Sequence, residues 1–81
     1  MIKAVILEIN GSEREIRVGR RYGIAEMNIY RGYKWCEVLS FVEGKQLAAM
    51  VTFDTGHTAM IALGALEPLS ALEQLADEYR S

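Results

Sequence analysis

The most reactive side chains of this sequence are a single cysteine and a single histidine. Nucleophilic catalysis needs a nucleophile, a base and an orienting group within hydrogen-bonding reach of one another. Cys36 lies in the middle of an apolar segment, where a free cysteine usually behaves as a small hydrophobic residue. His57 follows Asp54-Thr55-Gly56, which is a turn sequence. An enzyme built on Cys36 or His57 is therefore the least favoured hypothesis, and we predict a protein that is not an enzyme.

The composition also gives no support for a metal or a cofactor. A zinc site takes about four Cys, His or acidic ligands at suitable spacings, and one Cys and one His do not supply the usual set. The glycines form neither GxGxxG nor GxxxxGK[ST], the two patterns that cradle phosphate groups. We therefore expect no metal and no cofactor.

The best candidate for a binding surface is the segment 20–35, where cations alternate with aromatic residues. Cations neutralise phosphate and aromatic faces stack on bases, but Arg, Tyr and Trp also dominate protein–protein hot spots. A third interpretation is structural: Trp35 and one or two tyrosines are core, and the arginines keep strand edges soluble. The candidates for partner binding are Arg20, Arg21, Tyr22, Tyr30, Arg31, Tyr33, Lys34 and Trp35.

The charge is distributed unevenly along the chain. The net charge of −2 opposes general binding of nucleic acid. Residues 1–34 carry seven Lys or Arg and four acids, whereas residues 35–81 carry two and seven. The sequence therefore predicts one basic and one acidic surface. Such surfaces allow pairing between copies of the chain, or an acidic inhibitor that occupies another protein's nucleic-acid site.

Eighty-one residues make a single domain, 1–81, with a thin margin of buried surface. The chain is 51% hydrophobic, so we expect apolar surface to remain for a second copy or for another protein. A lone cysteine excludes an intramolecular disulfide, which indicates a reducing compartment. The first residues are charged too soon for a signal peptide, and apolar runs are too short for a membrane span. We predict a cytoplasmic protein that does not enter membranes.

Several short apolar segments, divided by turn residues, predict the strands that would position these side chains. Asn10-Gly11 is a type I′ turn signal, so residues 2–18 are expected to form a hairpin. Residues 33–63 look like three antiparallel strands with breaks at 43–45 and 54–57. The last of these segments, residues 58–63, could be a strand or the start of a helix. Between these two regions, the sequence predicts a loop over 19–23 and a short strand over 24–30.

A helix is predicted from Pro68 to Arg80. Its apolar residues Leu69, Leu72, Ala76 and Tyr79 recur at three- and four-residue steps. Pro68 suits a first helical turn, and Ser70 with Glu73 has the spacing of a capping box. We expect this face to pack across one side of the sheet.

The predicted fold is α+β: an antiparallel sheet of five or six short strands in meander order, with one C-terminal helix on one face. The predicted core residues are Val5, Leu7, Ile9, Ile16, Val18, Trp35, Val38, Leu47, Val51, Phe53, Ile61, Leu72 and Ala76. A helix covers only one face of a sheet, so the other face is expected to bind a second subunit through Leu39, Phe41 and Met50. The predicted function is a small protein-interaction module that forms a homodimer, with nucleic-acid binding and acidic inhibition as alternatives.

Overall fold

The computed structural model describes residues 2–25, 32–69 and 71–80. In these ranges the chain forms seven β-strands, one turn of 3-10 helix and one α-helix. The strands are β1 (Ala4–Ile9), β2 (Ser12–Arg17), β3 (Arg21–Ile24), β4 (Cys36–Val42), β5 (Ala48–Phe53), β6 (Thr58–Ala62) and β7 (Leu66–Glu67). The 3-10 turn is Leu63–Ala65, and the helix α1 is Ala71–Arg80.

The N-terminal hairpin is confirmed. Asn10 and Gly11 both have positive φ, 51° and 78°, as a type I′ turn requires. The turn sets Val5 opposite Ile16, and Ile16 is fully buried. β1 and β2 form a two-stranded sheet of their own, which is tied to the second sheet by a hydrogen bond from the Gly19 amide to the Val38 carbonyl at 2.8 Å.

The second sheet has five antiparallel strands in the order β6-β5-β4-β3-β7. β3 to β6 follow one another as a meander, as predicted. The prediction of one continuous meander is wrong at both ends, because the hairpin is a separate sheet and β7 returns to pair with β3. β7 has only two residues, and its register places Glu67 opposite Gly23. A strand of two residues has no periodicity that could be recognised in the sequence. It is defined only by its pairing with β3.

The segment before residue 25 also differs from the prediction. The predicted loop over 19–23 contains most of β3, which begins at Arg21. Tyr22 is buried in the core, and this burial fixes an extended conformation in a segment flanked by glycines. Ala25 continues the contact, because its amide donates to the Ala65 carbonyl at 2.8 Å. The remainder of the predicted strand, from residue 26 to residue 30, lies outside the described residues.

An irregularity in β4 changes which side chains share a face. Val38 is opposite Val51 and Ser40 is opposite Met50, so the ladder skips Leu39. Such a bulge reverses the alternation of the residues that follow it. Phe41 therefore lies opposite the buried Ala49 and packs against the core, which corrects its prediction as an exposed interface residue.

The core lies between the hairpin and the five-stranded sheet. Five of the predicted core residues are buried: Ile16, Val38, Val51, Phe53 and Ile61. Six buried residues were not predicted: Tyr22, Cys36, Ala49, Leu63, Ala65 and Leu66. The predicted residues Val5, Leu7, Val18 and Leu47 are partly buried against this cluster. Trp35 is half-buried, and the side chain of Ile9 is not among those described.

The helix α1 begins later than predicted and does not complete the core. Gln74 Nε2 donates to the Leu69 carbonyl at 2.7 Å, just before the helix. Ser70 of the predicted capping box lies outside the described residues. Leu72 is 76% exposed and Tyr79 is 84% exposed, so their predicted packing across the sheet is wrong; Ala76 is half-buried. The inner face of the sheet is instead covered by the hairpin, whose Val5, Leu7 and Ile16 face the cluster.

Candidate functional site

The central contact of the segment 20–35 is a stack of Arg21 on Trp35. The guanidinium carbon of Arg21 lies 4.0 Å from the centroid of the Trp35 ring. Arg21 is also opposite Glu37 in the β3–β4 ladder, and its Nε is 3.6 Å from Glu37 Oε1. The cation and the aromatic face that a ligand would need are thus engaged with each other inside the fold.

Tyr22 has a structural role as well. Its ring belongs to the core, and its hydroxyl oxygen accepts a 2.7 Å hydrogen bond from the Arg17 amide. The same hydroxyl donates to the Glu15 carbonyl at 3.4 Å. Tyr22 therefore ties β3 to β2, and it offers no free ring to a partner.

Residues 33–35 are fastened to the turn between β5 and β6. The Tyr33 ring stacks on Phe53 with centroids 4.1 Å apart and an angle of 14° between the planes. The Lys34 amide donates to Asp54 Oδ2 at 3.3 Å, and the Asp54 amide donates to the Trp35 carbonyl at 3.2 Å. Of the remaining candidates, Arg20 and the Lys34 side chain are exposed. Tyr30 and Arg31 lie outside the described residues.

Several cations of the N-terminal half are engaged locally. Arg17 Nε lies 2.5 Å from Glu15 Oε1, and this hydrogen bond lowers the pKa of Glu15. Arg14 donates from its guanidinium to the Leu66 carbonyl, which joins the hairpin to β7. The predicted basic surface is therefore weakened by contacts that the spacing of charges along the sequence does not reveal.

Cys36 and His57 are in environments of opposite kinds. Cys36 is fully buried, and desolvation raises the pKa of its thiol to about 11. Its thiolate, the reactive form, is thus a minor species near neutral pH. His57 is exposed in the β5–β6 turn. Among the described residues, no group of three or more Cys, His, Asp or Glu is arranged to hold a metal ion.

One cleft of about 530 Å³ opens beside the end of β4. Its described lining consists of Ile2, Ser40, Phe41 and Glu43. The polar groups there are one hydroxyl and one carboxylate, and they lie beside apolar side chains. A catalytic centre needs a base, a nucleophile and an orienting group. The described residues of this cleft do not supply that set, so the cleft is more typical of an ordinary surface depression.

Among the described residues, large apolar side chains are exposed in groups on α1 and on the five-stranded sheet, and Ile6 is exposed singly on β1. On α1 these are Leu72, Leu75 and Tyr79. On the sheet they include Leu39, Met50 and Met60, of which the last two are directly opposite each other on β5 and β6. The sequence signals for both were present, since α1 is amphipathic and β5 alternates. At α1 the amphipathic pattern predicts an apolar face, but the pattern does not show whether another part of the protein covers that face.

Comparison of the chain with protein-family models, with curated proteins and with solved structures found no match in any of the three. In the part of the chain that the structure describes, no helix combines the length and the apolar character that crossing a bilayer would require. The functional argument therefore depends on the two exposed apolar surfaces.

Proposed function

We propose that this protein is a non-enzymatic protein-interaction module and that α1 is its docking helix. The observation that carries the proposal is the exposure of Leu72, Leu75 and Tyr79. These residues recur at steps of three and four, so they form one stripe along the helix. Helices that dock into grooves use anchors with this spacing.

The partner that fits this helix is a protein with an apolar groove and a basic rim. Besides its apolar stripe, α1 carries Glu73, Asp77 and Glu78, with Arg80 as its only basic residue. Lysines or arginines along the rim of the groove would complement these acids and would favour this helix over a basic one. The groove itself would bury the leucines and the tyrosine. A few buried anchors of this kind carry most of the binding energy at an interface, so truncating them causes the largest losses of affinity.

Two observations favour protein binding over the other predicted functions. The thiol of Cys36 is buried, which opposes an enzyme built on it. Arg21, Tyr22, Tyr33 and Trp35 make contacts within the fold, which reduces what the segment 20–35 offers to nucleic acid. Nucleic-acid binding predicts a steep loss of affinity with salt, whereas an apolar groove predicts a shallow one.

The test is a titration of the partner with matched variants of α1. A partner captured from the native host is identified by mass spectrometry, purified, and titrated calorimetrically against the wild type. Leu72→Ala and Leu75→Ala are each expected to weaken binding by on the order of tenfold or more. Glu78→Gln keeps the shape of the helix and is expected to cause a small loss that disappears at high salt. Unchanged affinity in both leucine variants would refute α1 as the docking element.

The exposed apolar face of the sheet supports a further part of the proposal, self-association into a homodimer. Met60 is 57% exposed, Leu39 is 42% exposed and Met50 is 36% exposed. A solitary domain of this size rarely leaves such side chains adjacent on one sheet without a partner. Sedimentation equilibrium tests this part separately, because it needs no knowledge of the partner of α1.

A further inference from the structure

The five-stranded sheet has two different edges. At one edge, β7 is only two residues long, contains Glu67 and is followed by Pro68. Short length, charge and proline are the features by which natural sheets prevent further pairing. At the other edge, β6 runs for five residues, Thr58–Ala62, without a charge or a proline. The open edge of β6 thus lacks the protection that the opposite edge has.

The hydrogen bonding of β5 shows which backbone groups of β6 face outward. The Phe53 amide donates to the His57 carbonyl at 2.7 Å, so residue 57 directs its polar groups toward β5. Along an antiparallel ladder this direction alternates with each residue. Ala59 and Ile61 therefore bond to β5, whereas Thr58, Met60 and Ala62 present their amides and carbonyls on the open side. In the described strand order, no strand lies on that side of β6.

We propose that a second copy of this chain pairs with β6 through its own β6, antiparallel and about a two-fold axis at Met60. This inference rests on the proposed self-association but assigns it to the edge of the sheet, so most of the apolar face, including Leu39 and Met50, stays uncovered in the dimer. The axis places Met60 opposite its counterpart, Thr58 opposite Ala62, and Ala59 opposite Ile61. The two five-stranded sheets become one continuous sheet, with the same face of each copy on the same side.

This register satisfies every outward polar group of the strand. The donors and acceptors of Thr58, Met60 and Ala62 in one copy meet those of the other, which gives roughly six interchain hydrogen bonds. An axis at Thr58 or at Ala62 would leave part of each strand unpaired. The axis at Met60 also puts the small Ala59 beside the large Ile61 on the inner face, and it brings no like charges together.

A second copy fits this edge better than the strand of an unrelated protein does. Under a two-fold axis both partners contribute the same strand. That strand must therefore pair with an identical strand without steric or electrostatic repulsion. Charged strands fail this requirement, because the residue on the axis meets its own charge. Met60 is uncharged, so no repulsion arises where it meets its counterpart on the axis.

Ala62→Pro is a substitution that the folded monomer accepts. Ala62 has φ −64° and ψ 140°, and −64° is the φ that proline imposes. Its amide faces the open edge, so its loss removes no bond to β5. The preceding Ile61 is in a strand, a conformation that proline tolerates before it. Ala62→Pro should keep the circular dichroism and the thermal midpoint of the wild type, while dimer affinity falls on the order of tenfold or more.

A pair of charge variants tests the two-fold axis itself. Met60→Lys and Met60→Glu should each be monomeric, because each places like charges opposite one another. An equimolar mixture should form a heterodimer, which native mass spectrometry distinguishes from either homodimer. Restoration on mixing is expected only if the residue meets its own counterpart across the interface. Two variants that stay monomeric after mixing would overturn the register.

Met50→Lys is the matched control, since Met50 lies on the same face one strand away from the edge. Under edge pairing, this variant should remain dimeric. If Met50→Lys is monomeric while Ala62→Pro is dimeric, the copies pack through the face, and the edge proposal is wrong although self-association stands. A wild type that is monomeric at high micromolar concentration would overturn both, and the titration of α1 would still decide the docking helix.

Discussion

The guanidinium of Arg21 stacks on the indole ring of Trp35 at 4.0 Å, and its Nε faces Glu37. The arrangement joins the start of β4 to β3 through one arginine. In the sequence, the same two residues belong to a segment of alternating cations and aromatics that suggests a ligand-binding surface. The tertiary structure makes them partners of each other.

Arg21→Ala is therefore expected to lower the free energy of unfolding by about 1 kcal/mol, through loss of the cation–π contact and the ion pair. Arg20→Ala is the matched control, because Arg20 is adjacent in sequence and its side chain is exposed. Its unfolding free energy should stay within about 0.5 kcal/mol of the wild type. Urea denaturation measures both; equal effects of the two substitutions would show that the stack contributes nothing specific.

The buried thiol of Cys36 is expected to make stability depend on alkaline pH. Its folded-state pKa is raised to about 11, above the ordinary value of 9.0, so the folded state retains the proton longer than the unfolded state does. The contribution of the protonated Cys36 thiol to the free energy of unfolding is fully present below pH 9. It is lost as the pH rises toward 11. The loss is on the order of 2 kcal/mol.

Cys36→Ala removes this titration but keeps the tyrosines and lysines that also titrate in the same range. The difference between the pH profiles of the two proteins therefore isolates the thiol. Alkylation gives a second readout, since the folded wild type should react with iodoacetamide far more slowly than the urea-unfolded chain. Rapid alkylation of the folded protein would contradict the burial and would reopen the case for a reactive cysteine.

Gly23→Ala is expected to destabilise the β3–β7 pairing. A Cβ at residue 23 would lie 3.2 Å from the backbone oxygen of Pro68, which is closer than ordinary packing allows. The expected cost is about 1 kcal/mol, because a backbone atom has little freedom to move away. Gly64→Ala is the control, since a Cβ there has no neighbour within 4 Å and the substitution should be neutral or slightly stabilising.

Truncation of the stripe on α1 is expected to leave the fold intact. Leu72→Ala and Tyr79→Ala remove side chains that are largely exposed, so the thermal midpoint should change little. Large core truncations, by contrast, typically cost about 2–5 kcal/mol. Val51→Ala, at a fully buried site, provides a smaller core truncation for comparison. If Leu72→Ala is as destabilising as Val51→Ala, the helix is packed in solution and is not available for docking.

The features of this protein that depend on neighbouring residues could be predicted from the sequence. Asn10-Gly11 specified the hairpin because both residues tolerate the positive φ of a tight turn. The alternation in β5 identified Val51 and Phe53 as inward residues, since a strand places every second side chain on one face. The turns around residues 43–45 and 54–57 could likewise be predicted, because the residues that form each turn are adjacent in the chain.

The features that depend on residues far apart in the chain became visible only in the folded protein. β7 exists because Leu66 and Glu67 pair with Ile24 and Gly23, and two residues carry no pattern of their own. Phe41 faces inward because a bulge at Leu39 reverses the alternation, and nothing in the local sequence required it. The same holds for α1: its spacing predicts that one face is apolar, but only the tertiary structure shows that Leu72, Leu75 and Tyr79 on that face are exposed.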